Sequence, residues 1–507
     1  MGNSRAPSTG HLRMERGIQS HHWSFPMPSP ESSLDNAPLA RRIGLGSAVL
    51  FNMLEMIGVG PFLTLPLVIA AAGYRMSVWA WLLGAGIALA DGLVWAELGA
   101  AFPRAGGSYA FLREIYNPER AGNWLGFLYV WQLSFSAPMS VASGCLGLAS
   151  FLGWFLPGLE RAPLPLLPWL HGTNLAAAAA CLLVTALLYR NLRSVTRLAW
   201  ILFAGVMAAL TGAIVSGFAY AVKHGGWHMP SEPAHMAGSW ASSLAAATLI
   251  ATYDYWGYYN ICFLGSEVKH PEKTIPRSIL LSVALVAGFY VLMNVAALPS
   301  LAAAAQGGQS GANTALRLQL VADMARAAFG RWAGSTIAAL IMWTAFASVF
   351  SLLLGYSRVP YAAARDGNYF RALGAVHPRH GIPHRSLVTM GAVAACFCFL
   401  SLQQVITLLV VTRILLQFFL QHVGVIVLRI RQPKLERPFR MPFFPLPPLV
   451  CLAGFGFILV NRERAGWGLL VAAGIALAGS GIYLLRAHRT GHWPFTAQAV
   501  HTALRKL

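Results

Sequence analysis

Three acidic side chains lie inside long apolar stretches of the sequence: Glu55, Asp91 and Asp254. A carboxylate at membrane depth is costly and is kept where it meets a cavity, a cation or a proton path. Two of the three stand beside residues that interrupt helices. Glu55 precedes Gly58, Val59, Gly60 and Pro61, and Asp254 lies in Tyr253-Asp-Tyr-Trp256, followed by Gly257. Glycine weakens a helix and proline removes an amide donor. Each segment therefore frees backbone groups in the middle of an apolar run, where protein, water or a ligand must satisfy them. A helix restarting at Pro61 would aim amides at an anion such as a substrate carboxylate. The aromatic residues around Gly257 would line a pocket for a small ligand. The chemistry expected is recognition of a small zwitterion or cation. Glu55 and Asp254 would select an ammonium group, take up protons, or serve as a structural ion pair or backbone acceptor. Asp91 reads as structural, hydrogen-bonded between helices.

The elements that must position these groups are membrane helices. Only 11% of residues are charged and 56% are hydrophobic, against roughly 25% charged in a soluble chain. A span needs about 20 mostly apolar residues. Twelve such runs are expected, at 43–72, 76–100, 122–150, 172–190, 198–222, 240–265, 277–299, 331–357, 385–401, 404–428, 443–461 and 466–486. The first and sixth carry the interruptions. Two broken helices five spans apart are the pattern of an inverted-repeat transporter, with the ligand between the breaks. The fold class expected is thus an all-α membrane protein of twelve helices, with broken helices 1 and 6. Residues 1–40 read as a disordered cytoplasmic tail without a signal peptide. Residues 41–430 read as a ten-helix transport core, 431–486 as two additional helices and 487–507 as a cytoplasmic tail. The loops 101–121 and 299–330 read as connections, and 358–384 as a small helix plus turn.

The formal net charge of +20 comes from Lys and Arg placed between apolar runs, not on one face. That distribution argues against a nucleic-acid partner. With the N-terminus inside, most Lys and Arg fall on the cytoplasmic side, so both termini are expected there. The site expected is a bacterial inner membrane. Arg413 falls inside the tenth run and would pair with a carboxylate. The six cysteines sit in or beside apolar runs and form no CxxC, so they read as small apolar filler; no metal site is expected. A membrane enzyme would need His or Asp clustered at helical spacing within a span, and a channel would need a repeated pore motif; neither pattern is present. No G-x-x-x-x-G-K-[ST] sequence occurs, so the chain does not hydrolyse ATP itself through that motif.

Several motifs in order along residues 43–460 resemble the amino acid–polyamine–organocation superfamily. They are Ile57-Gly-Val-Gly-Pro-Phe62, Ala96-Glu-Leu-Gly-Ala-Ala-Phe-Pro-Arg-Ala-Gly-Gly-Ser-Tyr109, Tyr253-Asp-Tyr-Trp256, Phe263-Leu-Gly-Ser-Glu-Val-Lys-His-Pro271 with Ile275-Pro-Arg277, and Ser357-Arg358 with Ala364-Arg-Asp-Gly367. The resemblance implies a five-plus-five inverted repeat with two extra helices. It implies alternating-access uptake or exchange of amino acids or related amines, with no cofactor and no covalent chemistry. By position, the backbone of Ile57, Gly58, Val59 and Gly60 would hold the substrate carboxylate. Tyr253, Asp254 and Trp256 would contact the amino group or form the gate. Glu97 with Arg104 and Arg113, and Glu267 with Arg277, would form gating or structural charge networks. Val59 departs from the small polar residue that many relatives carry there. Pro61-Phe62 and Tyr255-Trp256 look like the polyamine-uptake branch, so polyamine transport is the alternative; a non-transporting amino-acid sensor is another. Coupling would use a carboxylate for H+, or Ser348 and Ser351 for Na+, or no ion. The partners expected are the substrate and the lipid bilayer, and the sequence does not set an oligomeric state.

Overall fold

A computed structural model of the chain describes residues 41–161, 163–164, 167–190, 192–229, 240–306, 319–400, 405, 413–460, 465–491 and 493–495. The sequence-predicted N-terminal tail lies outside these residues, as do most of the C-terminal tail, residue 401 at the end of the ninth run, and residues 404 and 406–412 of the tenth.

The described residues are almost entirely helical. In chain order the helices are α1 (Leu45–Met56), α2 (Gly60–Ala101), α3 (Ser108–Ile115), α4 (Gly122–Leu152), α5 (Gly158–Arg161), α6 (Gly172–Leu188), α7 (Leu192–Lys223), α8 (Trp240–Asp254), α9 (Asn260–Phe263) and α10 (Pro271–Gln306). After these come α11 (Leu320–Phe329), α12 (Arg331–Tyr356), α13 (Arg358–Arg365), α14 (His384–Phe397), α15 (Leu420–Arg431), α16 (Leu446–Val460) and α17 (Ala465–Thr490). A π-helical turn, Ile414–Phe419, leads into α15. Every one of the twelve predicted runs meets helix, and among the described residues seven helical segments are long and apolar enough to cross a membrane. The molecule is thus an all-α membrane protein. One small departure is a two-stranded hairpin pairing Pro163–Leu164 with Leu167–His171.

The predicted boundary between the first two runs falls at Gly73, whose φ of 80° interrupts α2. Only glycine holds that conformation without strain. The two stretches read as loops contain helices. α3 forms because Tyr109, Phe111, Leu112 and Ile115 repeat at helical spacing and are buried, with Arg113 left less buried at the opposite edge. α11 likewise buries Leu320, Val321, Met324 and Ala325. Both are too short to span a bilayer, which is why a search for long apolar runs passes over them.

α1 sits between α10 and α12, and α2 packs along α8 and α10. α12 packs on α4, while α16 rests on α2 and α17 on α4. This arrangement brings the ends of α1 and α8 together at the middle of the bundle.

Candidate functional site

The two interruptions are real gaps in the helical ladder. α1 ends at Met56, residues 57–59 are non-helical, and α2 opens at Gly60 with Pro61 in its first turn. α8 ends at Asp254, residues 255–259 form turns, and α9 restarts at Asn260. The breaks touch. Gly257 has φ 129°, and a Cβ there would lie 2.8 Å from the amide nitrogen of Met56. A Cβ on Gly60 would collide with Oδ1 of Asp254. Glycine at these two positions allows the close approach.

Breaking a helix leaves carbonyls and amides without partners, and side chains from neighbouring helices supply them. The Tyr290 hydroxyl of α10 donates to the Met56 carbonyl at 2.8 Å and reaches the Asp254 carbonyl at 3.4 Å, so one phenol serves both helix ends. Asn52 Oδ1 accepts the amide of Ile261 in the first turn of α9 at 3.0 Å. Asn260 Nδ2 donates to Ser351 Oγ at 2.7 Å and to the Phe51 carbonyl at 3.3 Å, and Ser351 Oγ donates to that same carbonyl at 2.8 Å. Asn52, Asn260 and Tyr290 were not among the site residues expected, because nothing local in the sequence marks which carbonyl a distant side chain will reach; Ser351, named in the sequence for Na+, donates here to the Phe51 carbonyl.

Between the breaks lies a cavity of about 210 Å³. Of the expected residues, Glu55, Gly58, Val59, Gly60, Tyr253, Asp254 and Trp256 line it. Ile57 does not; its side chain is fully buried in the core. Glu55 Oε1 accepts the Tyr356 hydroxyl at 3.0 Å, whereas Oε2 has no hydrogen-bond partner among the described residues. Asp254 accepts the Thr64 hydroxyl. Trp256 packs against Phe418 and Tyr253, and its Nε1 lacks a hydrogen-bond partner among the described residues.

Arg413 also lines the cavity and was not expected in the site. Its Nη2 donates to Ser140 Oγ at 2.9 Å, and its guanidinium lies 5.0 Å from the centre of the Tyr356 ring. The signal was present: a guanidinium inside an apolar run marks a functional position. Arg413 makes no ion pair with Glu55 among the described residues, and its Nε is without a hydrogen bond there. The cavity wall thus holds two carboxylates and one guanidinium, with polar atoms on Glu55, Trp256 and Arg413 that find no hydrogen-bond partner among the described residues. Such a set can bind a small molecule carrying both charges.

The charge networks differ from those expected. Glu97 pairs with Arg429, at 2.9 and 2.5 Å, and lies 3.4 Å from Arg437; it also accepts the Met441 amide at 2.8 Å. Arg104 instead meets Glu114 at 3.2 Å, and Arg113 meets Asp366. Glu97 ends up buried on the inward side of α2, while Arg104 is exposed beyond its end, which separates the two. Glu267 pairs with Arg358, not with the exposed Arg277, at 2.9 Å. The Glu267 carbonyl also accepts the amides of Arg42 and Ile43, at 2.8 and 2.9 Å, which fastens the approach to α1. Tyr109 and Arg113 both donate to Asp366, joining two motifs read separately in the sequence.

A sequence model described as amino acid permease matches residues 43–478. The chain is 26% identical to the serine/threonine exchanger SteT of Bacillus subtilis over 457 residues, covering 86% of this chain and 95% of the relative. It is 26% identical over 433 residues to the Asc-type amino acid transporter 1 of Mus musculus, covering 84% and 77%. It is 29% identical over 362 residues to an uncharacterised transporter of Mycobacterium tuberculosis, covering 70% and 73%. With that match across most of its length, the chain belongs to the amino acid permease family, as a multi-pass membrane transporter of amino acids and not an enzyme.

Proposed function

We propose that this permease moves small neutral amino acids across the bacterial cytoplasmic membrane by alternating access, as a secondary transporter, with the substrate held between the two breaks. The observation that carries this reading is the cavity in which Glu55, Asp254 and Arg413 face one small space. The N-terminal turn of α2 at Gly60 meets the substrate carboxylate. Asp254 and the α8 carboxyl end meet its ammonium. The names of the relatives, a serine/threonine exchanger and an Asc-type amino acid transporter, support the substrate class.

A cation-selective or polyamine site would rest on Glu55 and Asp254 alone. Arg413 weighs against it, because a diamine would bring an ammonium toward a buried guanidinium, and like charges repel strongly where water is excluded. Sodium coupling through Ser351 is disfavoured by Asn260, whose amide already donates to that hydroxyl and to the Phe51 carbonyl. The Lys and Arg distribution supports cytoplasmic termini. Residues 41–430 would be the transport core and the last two helices an addition.

Ligand binding to the folded state raises apparent stability by mass action, by about 2.7 kcal/mol at a hundredfold excess over Kd. L-serine, L-threonine or L-alanine should therefore raise the thermal midpoint of the purified protein, and putrescine should not. Arg413→Met should weaken the response to neutral amino acids and admit cationic ones. Stabilisation of the wild type by putrescine, arginine or lysine alone would reverse the assignment to cationic substrates.

A further inference from the structure

Outside the substrate cavity, a second buried polar cluster joins four elements. Asp91 of α2, His422 of α15, Cys451 of α16 and Tyr258 of the second break are all buried. His422 Nδ1 lies 2.6 Å from the Phe418 carbonyl. A carbonyl only accepts, so Nδ1 carries a hydrogen in every protonation state of the ring. In neutral imidazole Nε2 is then a bare lone pair. It stands 3.0 Å from Asp91 Oδ1, and neither atom has a hydrogen-bond partner among the described residues. Asp91 Oδ2 accepts the Tyr258 hydroxyl. Two electron-rich atoms this close repel strongly where both side chains are fully buried. One proton shared by the pair removes the repulsion and adds a charge-assisted attraction.

The groups around this pair leave the proton as the economical cation. Cys451 from α16 places Sγ within 4.8 Å of a ring nitrogen of His422 and a carboxylate oxygen of Asp91, with a contact to the Ile87 carbonyl at 3.9 Å. Tyr258 faces the pair from the break, and Tyr259 and Cys262 follow it in the chain toward α9. On the helices that carry the pair, Arg429 of α15 is committed to Glu97 of α2. The cluster is also tied to the substrate cavity at two points. Tyr258 lies between Trp256 and Tyr259, both of which line the cavity. Phe418, whose carbonyl holds His422, packs on Trp256 at 5.0 Å between ring centres.

We propose that Asp91 and His422 form a proton-binding site of the transport cycle, distinct from the substrate cavity and reporting on the second break through Tyr258. In the conformation described, one proton taken from water on one side rests on the pair, which is then neutral overall. When the break moves with Tyr258, the proton leaves to water on the other side and the pair carries one negative charge. This rests on the amino-acid transport reading for its place in a cycle, but the site itself is testable without a substrate.

The apparent thermal midpoint of the purified protein should step down on going from acidic to alkaline pH, because the bound proton stabilises this conformation. His422→Gln, which keeps a side-chain N–H donor, should lack that step; so should Asp91→Asn, which serves if the glutamine variant does not fold. Cys451→Ser should keep it. In proteoliposomes, an inward proton gradient should drive accumulation of a mixture of labelled L-amino acids. His422→Gln should keep counterflow of the same mixture and lose the gradient-driven accumulation. A pH step retained in both pair variants overturns the proposal, as does one transition-metal ion per chain in the purified protein. A step erased by the variants, with no counterflow of any amino acid, keeps the proton site and rejects the substrate reading. Counterflow without any gradient effect in the wild type does the reverse.

Discussion

Gly257→Ala is expected to abolish transport and to lower the stability of the folded permease. The residue has φ 129°, a backbone conformation that an alanine holds only under strain of roughly 1–3 kcal/mol. The added methyl would also lie 2.8 Å from Met56 N and 2.9 Å from the Glu55 carbonyl carbon. These are backbone atoms, which cannot swing aside as a side-chain tip can, so about 1–3 kcal/mol of overpacking is added. Relief requires the two breaks to part, and parting them takes Glu55 away from Asp254 and opens the cavity wall. Expression, detergent thermal stability and uptake in proteoliposomes would check this together. Wild-type transport by Gly257→Ala would show that the breaks do not need to touch. Glycine at the exposed turn position Gly367, where an added Cβ meets nothing, provides the contrast: Gly367→Ala costs backbone strain alone.

The second large effect is expected at the Glu267–Arg358 pair. Both side chains are almost fully buried, at 0% and 3% exposure, and Arg358 also donates to the Leu354 carbonyl at 2.9 Å. Removing one partner of a buried pair leaves an uncompensated charge and costs about 3–5 kcal/mol. Arg358→Leu should therefore lower the thermal midpoint sharply, and Glu267→Gln should do so as well. The double variant should recover part of the loss, because neither charge is then left alone. Additive losses in this double-mutant cycle would mean that the two side chains act independently. The same pair has a mechanical role to test. The Glu267 carbonyl holds the amides of Arg42 and Ile43, so loosening it should free the approach to α1 and raise accessibility of that segment to protease or label.

The sequence made legible what depends on local chemistry. The apolar runs meet helices because a lipid-facing helix must be apolar along its whole length. The breaks appear where Gly58, Gly60 and Pro61, and then Gly257, interrupt such runs. Even the division of α2 at Gly73 fell between two predicted spans. What the sequence hid depends on distant partners. Glu97 was assigned to Arg104 and Arg113, close by in the chain, yet its partner Arg429 lies 332 residues away. Tyr290 caps two helix ends at once, and no pattern around Tyr290 announces that role. Arg413 stood out as a charge in an apolar run, but its place in the cavity follows only from the packing of its helix against Ser140 and Tyr356. Short amphipathic helices such as α3 were missed because they bury one face against the bundle without crossing it.

Neutral amino-acid transport is tested most directly by counterflow of labelled L-serine, L-threonine and L-alanine into proteoliposomes loaded with the unlabelled amino acid. Counterflow is expected in the wild type, with inhibition by excess external neutral amino acids but not by putrescine, and with loss in Gly257→Ala. Binding of these amino acids without any counterflow would contradict it and make the protein a sensor. Counterflow of putrescine in their place would contradict the substrate assignment built on Arg413.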